Sequence, residues 1–186
     1  MASPRMLLMA QPSPEVRARL HETLAGLGLE TVLGLAMFAP ENWHQTFCRP
    51  YASSADVYAA LLRAGVAVHD MRLPAFSLVI DRIQSQGRDP IHWSFRTKAR
   101  PAGFDALLNA VHHALQLEGL SNDPGHSPHM TISYRAPKEL PRQEFAPIPW
   151  RIDELLLVQG NGSPYRYDVL ARWPLPEVPE AQRSLF

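Results

Sequence analysis

Cysteine is nearly absent: Cys48 stands alone among 186 residues. A single cysteine excludes an intramolecular disulfide, and nothing else in the composition asks for an oxidising compartment. The N-terminal apolar stretch Met6-Leu7-Leu8-Met9-Ala10 is far too short for a signal-peptide core or a membrane span. The expectation is a cytoplasmic protein with no membrane partner. A surplus of charge is missing too, since 18 Lys and Arg balance 18 Asp and Glu. Proteins that grip long nucleic acid through its backbone usually carry a basic surplus. If RNA is the substrate, this chain holds an end or a short piece of it.

What the sequence does have is proline, 18 residues of it, mostly between periodic segments. That favours many short elements over a few long helices. The length fits a single domain over residues 1–186, able to bury a core without disulfides or a structural metal. Residues 6–10 read as a strand. Ser13 and Pro14 open a helix whose apolar face is Val16, Leu20 and Leu24, with Gly26 and Gly28 ending it. Alternation of Leu33, Leu35 and Met37 predicts a strand over 31–38, and a second covers 43–49. Ser53 or Ser54 caps a helix carrying Val57, Leu61 and Ala64, with Gly65 as its stop. Residues 75–83 and 91–97 read as strands across a glycine-containing turn. A third helix runs from about 104 to 118, with Gly119 after it. Residues 121–128 read as loop and 129–135 as a strand. A hairpin over 154–159 and 165–173 closes the fold, and 174–186 is expected to be a loose tail. There is no tandem repeat. Helices mixed with neighbouring strands predict an α+β fold with mostly antiparallel sheet.

Two triplets carry the chemistry: His44-Gln45-Thr46 and His129-Met130-Thr131. On a strand, residues two apart share a face. Each triplet therefore offers one imidazole and one hydroxyl to a common side. Two such strands side by side suit phosphodiester cleavage. One histidine takes a proton from the attacking oxygen and the other gives one to the leaving oxygen. The threonine hydroxyls donate to the non-bridging phosphate oxygens. In this scheme acid, base and donors are all side chains, so no metal or other cofactor is expected. For a chain with this many histidines and threonines, chance yields roughly 0.2 such triplets, so a pair is informative.

The strings around the triplets resemble a known family. Pro-Glu-Asn-Trp-His-Gln-Thr-Phe stands where the 2H phosphoesterase superfamily typically has Pro-Glu-Asn-Leu-His-Leu-Thr-Leu, and Ser-Pro-His-Met-Thr-Ile matches its second motif. The opening strand, the following Pro-Ser-Pro-Glu-Val-Arg-Ala-Arg-Leu and the final hairpin also fit. In particular, the chain resembles the bacterial and archaeal RNA 2',3'-cyclic phosphodiesterases, also called 2'-5' RNA ligases. The resemblance implies a two-lobed, LigT-like fold with both motifs in a central cleft. It implies opening of a 2',3'-cyclic phosphate to a 2'-phosphate, with 2'-5' ligation in reverse. It makes His44 the donor to the leaving 3' oxygen, His129 the acceptor that activates water, and Thr46 and Thr131 the phosphate holders. Two departures stand out. The first motif continues Phe47-Cys48-Arg49-Pro50 where a Phe-Leu-Gly-like turn is usual. The second has Tyr134 where an arginine is common, with Arg135 next to it.

Other residues have functional and plainer readings side by side. Arg135 is in phase with His129 and Thr131 on an extended strand and is a candidate phosphate ligand. Its plainer role is a solvent-exposed strand end. Tyr134 is a candidate for stacking on a base. Trp43 and Phe47 are out of phase with the motif and belong in the core. His92 shares a face with Ser94 and Arg96. Cys48 is in phase with Thr46, either a nucleophile or a small buried residue, with burial favoured. His126, His129 and His44 offer a weak alternative as zinc ligands. The expected partners are RNA termini or small nucleotides bearing a cyclic phosphate, such as a cyclic phosphate of ADP-ribose or a 2'-5' oligonucleotide. A non-catalytic nucleotide-binding or RNA-end-binding module is the competing reading, and no obligate protein partner is implied.

Overall fold

The computed structural model describes residues 4–121 and 126–177. Within them, two antiparallel sheets and four α-helices form an α+β fold, as the sequence predicts. The first sheet is built on β1 (Arg5–Ala10), which is buried along nearly its whole length. Two short strands share one edge of β1: β2 (Gln45–Thr46) and β3 (Tyr51–Ala52). The other edge pairs with β8 (Glu154–Asn161), and β9 (Arg166–Pro174) closes the sheet. The second sheet takes the middle of the chain, in the order β6 (His129–Ser133), β5 (His92–Thr97), β4 (Phe76–Gln86), β7 (Gln143–Ile152).

The helices begin where the polar caps lie. The Ser13 hydroxyl accepts from Val16 N–H at 3.3 Å at the start of α1 (Pro14–Gly26). The Ser54 hydroxyl accepts from Val57 N–H at 3.2 Å at the start of α3 (Ala55–Asp70). Such caps satisfy donors that the first turn leaves open. The third predicted helix is α4 (Ala102–Leu117), with Phe104, Leu107, Leu108, Val111 and Leu115 all buried. Helix α3 lies against β1, β8 and β9 and packs on α4, while α1 lies against β7. Among the described residues no helix is long and apolar enough to cross a membrane.

Three expectations about these elements need correction. The 31–38 strand is instead a short helix, α2 (Leu29–Leu33), followed by a 3-10 turn at Gly34–Ala36. Leu29 and Leu33 are buried one helical turn apart, and Leu35 projects fully into solvent. The alternation of Leu33, Leu35 and Met37 is a coincidence of composition. The 43–49 strand pairs only at Gln45 and Thr46. Gly65 does not stop α3. It lies inside the helix, and a Cβ placed on it would sit 2.2 Å from the Trp173 ring. Strand β7 is an element for which the sequence reading gave no expectation, and it carries Pro147 and Pro149. It runs along the edge of its sheet, paired with β4 alone among the described strands, and edges tolerate proline.

The tail begins later than expected. Leu175 is buried, its N–H donates to the Asp153 carbonyl at 2.7 Å, and Ala75 N–H donates to the Pro176 carbonyl at 2.9 Å. Residues 178–186 of the expected loose tail, and 122–125 of the expected loop, lie outside the described residues.

Candidate active site

Both triplets follow the predicted alternation. In the first, Gln45 and Phe47 are buried while His44 and Thr46 are half-exposed; in the second, Met130 and Ile132 are buried while His129 and Thr131 are half-exposed. The buried residues anchor each strand to its own sheet and turn the imidazoles and hydroxyls outward. The two strands belong to different sheets, yet all four side chains line one compartment of about 250 Å³.

The histidines are held in the same way. The Nδ1 of His44 lies 2.7 Å from the Asn42 carbonyl oxygen. The Nδ1 of His129 lies 2.7 Å from the Ser127 carbonyl oxygen. A carbonyl only accepts, so Nδ1 carries the hydrogen in both rings and Nε2 is left for other chemistry. The proline-containing turns before the motifs explain this: each bends the chain so that the carbonyl two residues upstream meets the ring. Burial pushes both imidazoles below the ordinary histidine value, and the carbonyl partners act the other way. His44 is lowered further by the charge of His129, and His129 by Arg96 and His126.

Gln45 ties the two motifs together, and no pattern in the sequence points to it. Its side chain is fully buried. Its Oε1 accepts from His129 N–H at 2.8 Å and its Nε2 donates to the Thr46 carbonyl at 2.8 Å. A leucine, usual at this position in the family the motif resembles, could do neither. Trp43 joins the sheets from the core side. It is fully buried, donates from Nε1 to the Phe38 carbonyl at 3.2 Å and meets Phe95 edge-on at 5.5 Å.

The compartment opens into a second of about 620 Å³ that shares His44, Thr46, Pro50, Thr131 and Tyr134 with it. Leu35, Met37, Phe38, Tyr165 and Tyr167 supply much of its wall. The Tyr167 ring stands edge-on to His44 at 5.0 Å and to Tyr165 at 5.4 Å, and Tyr134 stands edge-on to Phe38 at 5.1 Å. Tyr165 and Tyr167 come from β9 and the turn before it, at the far end of the chain from the first motif, and no spacing signal could have found them. A cavity of about 730 Å³ near Arg17, Arg151 and Arg172 contains none of the four motif side chains.

Tyr134 is therefore at the cleft, and Arg135 is not. Strand β6 ends at Ser133, which is buried and opposite a register shift, so the two-residue phase is lost there. Arg135 N–H donates to the Ser133 hydroxyl at 3.1 Å, and its side chain lines a separate cavity with Arg88 and Asp89. His92 packs its ring on Tyr134 at 5.0 Å. Cys48 is fully buried, its sulfur accepts from Leu8 N–H at 3.1 Å, and burial pushes the thiol up to about 12. It is a packed neutral thiol. Among the described residues no group of three His, Cys, Asp or Glu side chains is arranged to hold a metal ion.

No protein-family model matches the sequence, and no curated protein matches it. Solved structures do. LigT of E. coli in its apo form is 23% identical, with a TM-score of 0.74 over 95% of this chain and 100% of that one. TT0787 of Thermus thermophilus is 19% identical, with a TM-score of 0.70 over 93% and 98%. A protein described as a phosphoesterase is 23% identical, with a TM-score of 0.73 over 93% and 99%. Two sheets meeting at a cleft that holds both His-x-Thr strands, in a chain that matches LigT along almost its whole length, give this protein the LigT fold.

Proposed function

We propose that the protein is a phosphodiesterase of the 2H superfamily that opens terminal 2',3'-cyclic phosphates. The observation that carries this reading is the pair of Nδ1–carbonyl bonds, which leaves two imidazole Nε2 atoms beside two threonine hydroxyls in one compartment. His129 Nε2 takes a proton from water as the water oxygen bonds to phosphorus. The bond from phosphorus to the 3' oxygen breaks, and that oxygen takes a proton from His44 Nε2. The products are a 2'-phosphate and a 3'-hydroxyl. Proton exchange with solvent resets the pair. Thr46 and Thr131 donate to the non-bridging oxygens, where charge gathers. With an RNA 5'-hydroxyl attacking in place of water, the same scheme is 2'-5' ligation.

The aromatic compartment favours small substrates. Its volume suits one nucleoside, and among the described residues its wall carries a single arginine, Arg5, with Tyr134 placed to meet a base or ribose. LigT of E. coli has been crystallised with 3'-AMP, ATP and NADP+, which supports a nucleotide-sized ligand. RNA termini and small nucleotides with a cyclic phosphate are thus both within reach, the latter favoured by the zero net charge.

The test is turnover of 2',3'-cyclic AMP and of a cyclic-phosphate RNA with chelator present, followed by phosphorus NMR. The expected product is the 2'-phosphate, formed at the same rate with or without chelator. A clean 3'-phosphate would reverse the roles of donor and acceptor, and no turnover of either substrate would overturn the reading. The pH dependence follows from the site's electrostatics. One imidazole must be neutral and the other protonated, so kcat/KM is bell-shaped and its limbs belong to the coupled pair. Burial lowers both rings in the free protein, so the alkaline limb is expected at or below the ordinary imidazole pKa of about 6.5. An alkaline limb above about pH 8 would show that these rings are not the acid and base.

A further inference from the structure

The residue five places after each motif histidine lines the same compartment: Arg49 after His44, and Tyr134 after His129. The two motifs thus contribute unlike side chains at matching positions, a cation from one side and an aromatic ring from the other. We propose that Arg49 is the phosphate-binding cation of this site. The proposal rests on the phosphodiesterase reading for its catalytic consequence but not for anion binding itself.

A fixed charge is what the other groups lack. A cyclic phosphate diester carries one negative charge on binding. The positive charge of the two histidines comes and goes with pH and with the proton they pass, and the threonines supply none. Arg135, the candidate that strand phase singles out, faces another cavity. Among the described residues lining the compartment, the permanent cation is Arg49.

Its mounting suits the task. The guanidinium carbon lies 5.2 Å from the centroid of the Tyr51 ring, an arrangement that attracts a cation to the ring face. Tyr51 is itself rigid. It is buried, its backbone pairs with Met6 of β1, and its hydroxyl donates to the Ser121 carbonyl at 2.8 Å. A planar guanidinium can give two parallel hydrogen bonds to a phosphate. A lysine would bring the charge without the fork.

Titration with inorganic phosphate, followed by calorimetry, tests binding without requiring turnover. Arg49→Met is expected to weaken phosphate about tenfold and to lower kcat/KM for 2',3'-cyclic AMP about 100-fold, the scale of losing one charge-stabilising donor. Arg49→Lys should fall between that variant and the wild type. Arg135→Met should stay within about twofold of the wild type, since it removes a charge of equal sign from outside the cleft. In the wild-type protein the Arg49 guanidinium NMR signal should shift on phosphate addition and that of Arg135 should not, a readout that holds if a variant fails to fold. Wild-type phosphate affinity in Arg49→Met, or a phosphate-induced shift at Arg135 in place of Arg49, overturns the proposal. A wild-type protein that binds phosphate but turns over no cyclic phosphate overturns the phosphodiesterase reading instead.

Discussion

Alanine at His44 or at His129 lowers kcat by about 100-fold or more, the usual scale for a lost general acid or base, and the double variant loses much less than the product of the two. The expectation follows from the way the rings are mounted. Each Nδ1 is committed to a backbone carbonyl, so each ring has one nitrogen left for substrate and no second orientation in which to use it. In the proposed reaction the two rings share a single proton cycle. Once one is gone, the other has no partner step to assist, and its removal costs little more. Both side chains stand at the cleft surface on strands anchored by other residues, so folding is preserved and circular dichroism serves as the control. Initial rates on 2',3'-cyclic AMP decide the matter. A His129→Ala protein that keeps wild-type turnover refutes its assignment as the proton acceptor, and independent, multiplicative losses refute the concerted pair.

Gly65→Ala is expected to destabilise the fold by about 2–3 kcal/mol, the usual cost of overpacking a core. On helix propensity alone the sign would be opposite, since alanine is better than glycine in a helix interior by about 1 kcal/mol. Packing decides. A Cβ at this position would lie 2.2–2.4 Å from three atoms of the Trp173 ring, and Trp173 is buried on β9, the strand against which α3 lies. Gly26→Ala is the control, because nothing lies within 4 Å of a Cβ there. A melting experiment should show Gly65→Ala falling by roughly 5–10 °C and Gly26→Ala unchanged or slightly raised. An unchanged melting temperature for Gly65→Ala would mean that the indole has room to move.

The same glycine shows where sequence reading stops. Gly65 in a helical pattern reads as a terminator when only its propensity is visible, because the ring it accommodates comes from the last strand of the chain. Features written locally were legible. The Ser13 and Ser54 caps, the apolar face of α4 and the phase of both His-x-Thr strands depend on residues a few places apart. Features written by neighbours in space were not. The edge position that lets β7 carry Pro147 and Pro149, the tyrosines of β9 beside the first motif, and the bond from Gln45 to His129 all depend on the tertiary arrangement. Arg135 failed for a related reason. A period of two holds only while the strand lasts, and β6 stops two residues before it.

The chain path also fixes an order of events during synthesis. The strands of the second sheet lie between residues 76 and 152, so a ribosome that has delivered Ile152 has delivered every strand that holds His129. The sheet that holds His44 is in a different position. Its central strand, made before any of these, waits for β8, which begins at Glu154. Until that hairpin emerges, the Met6–Ala10 stretch has no long strand to pair with and remains an apolar segment in search of one, the kind of unpaired edge that chaperones cover. On this chain order the two halves of the cleft are completed at different times, and the sheet that carries His44, though His44 is translated 85 residues before His129, is the later of the two to be complete.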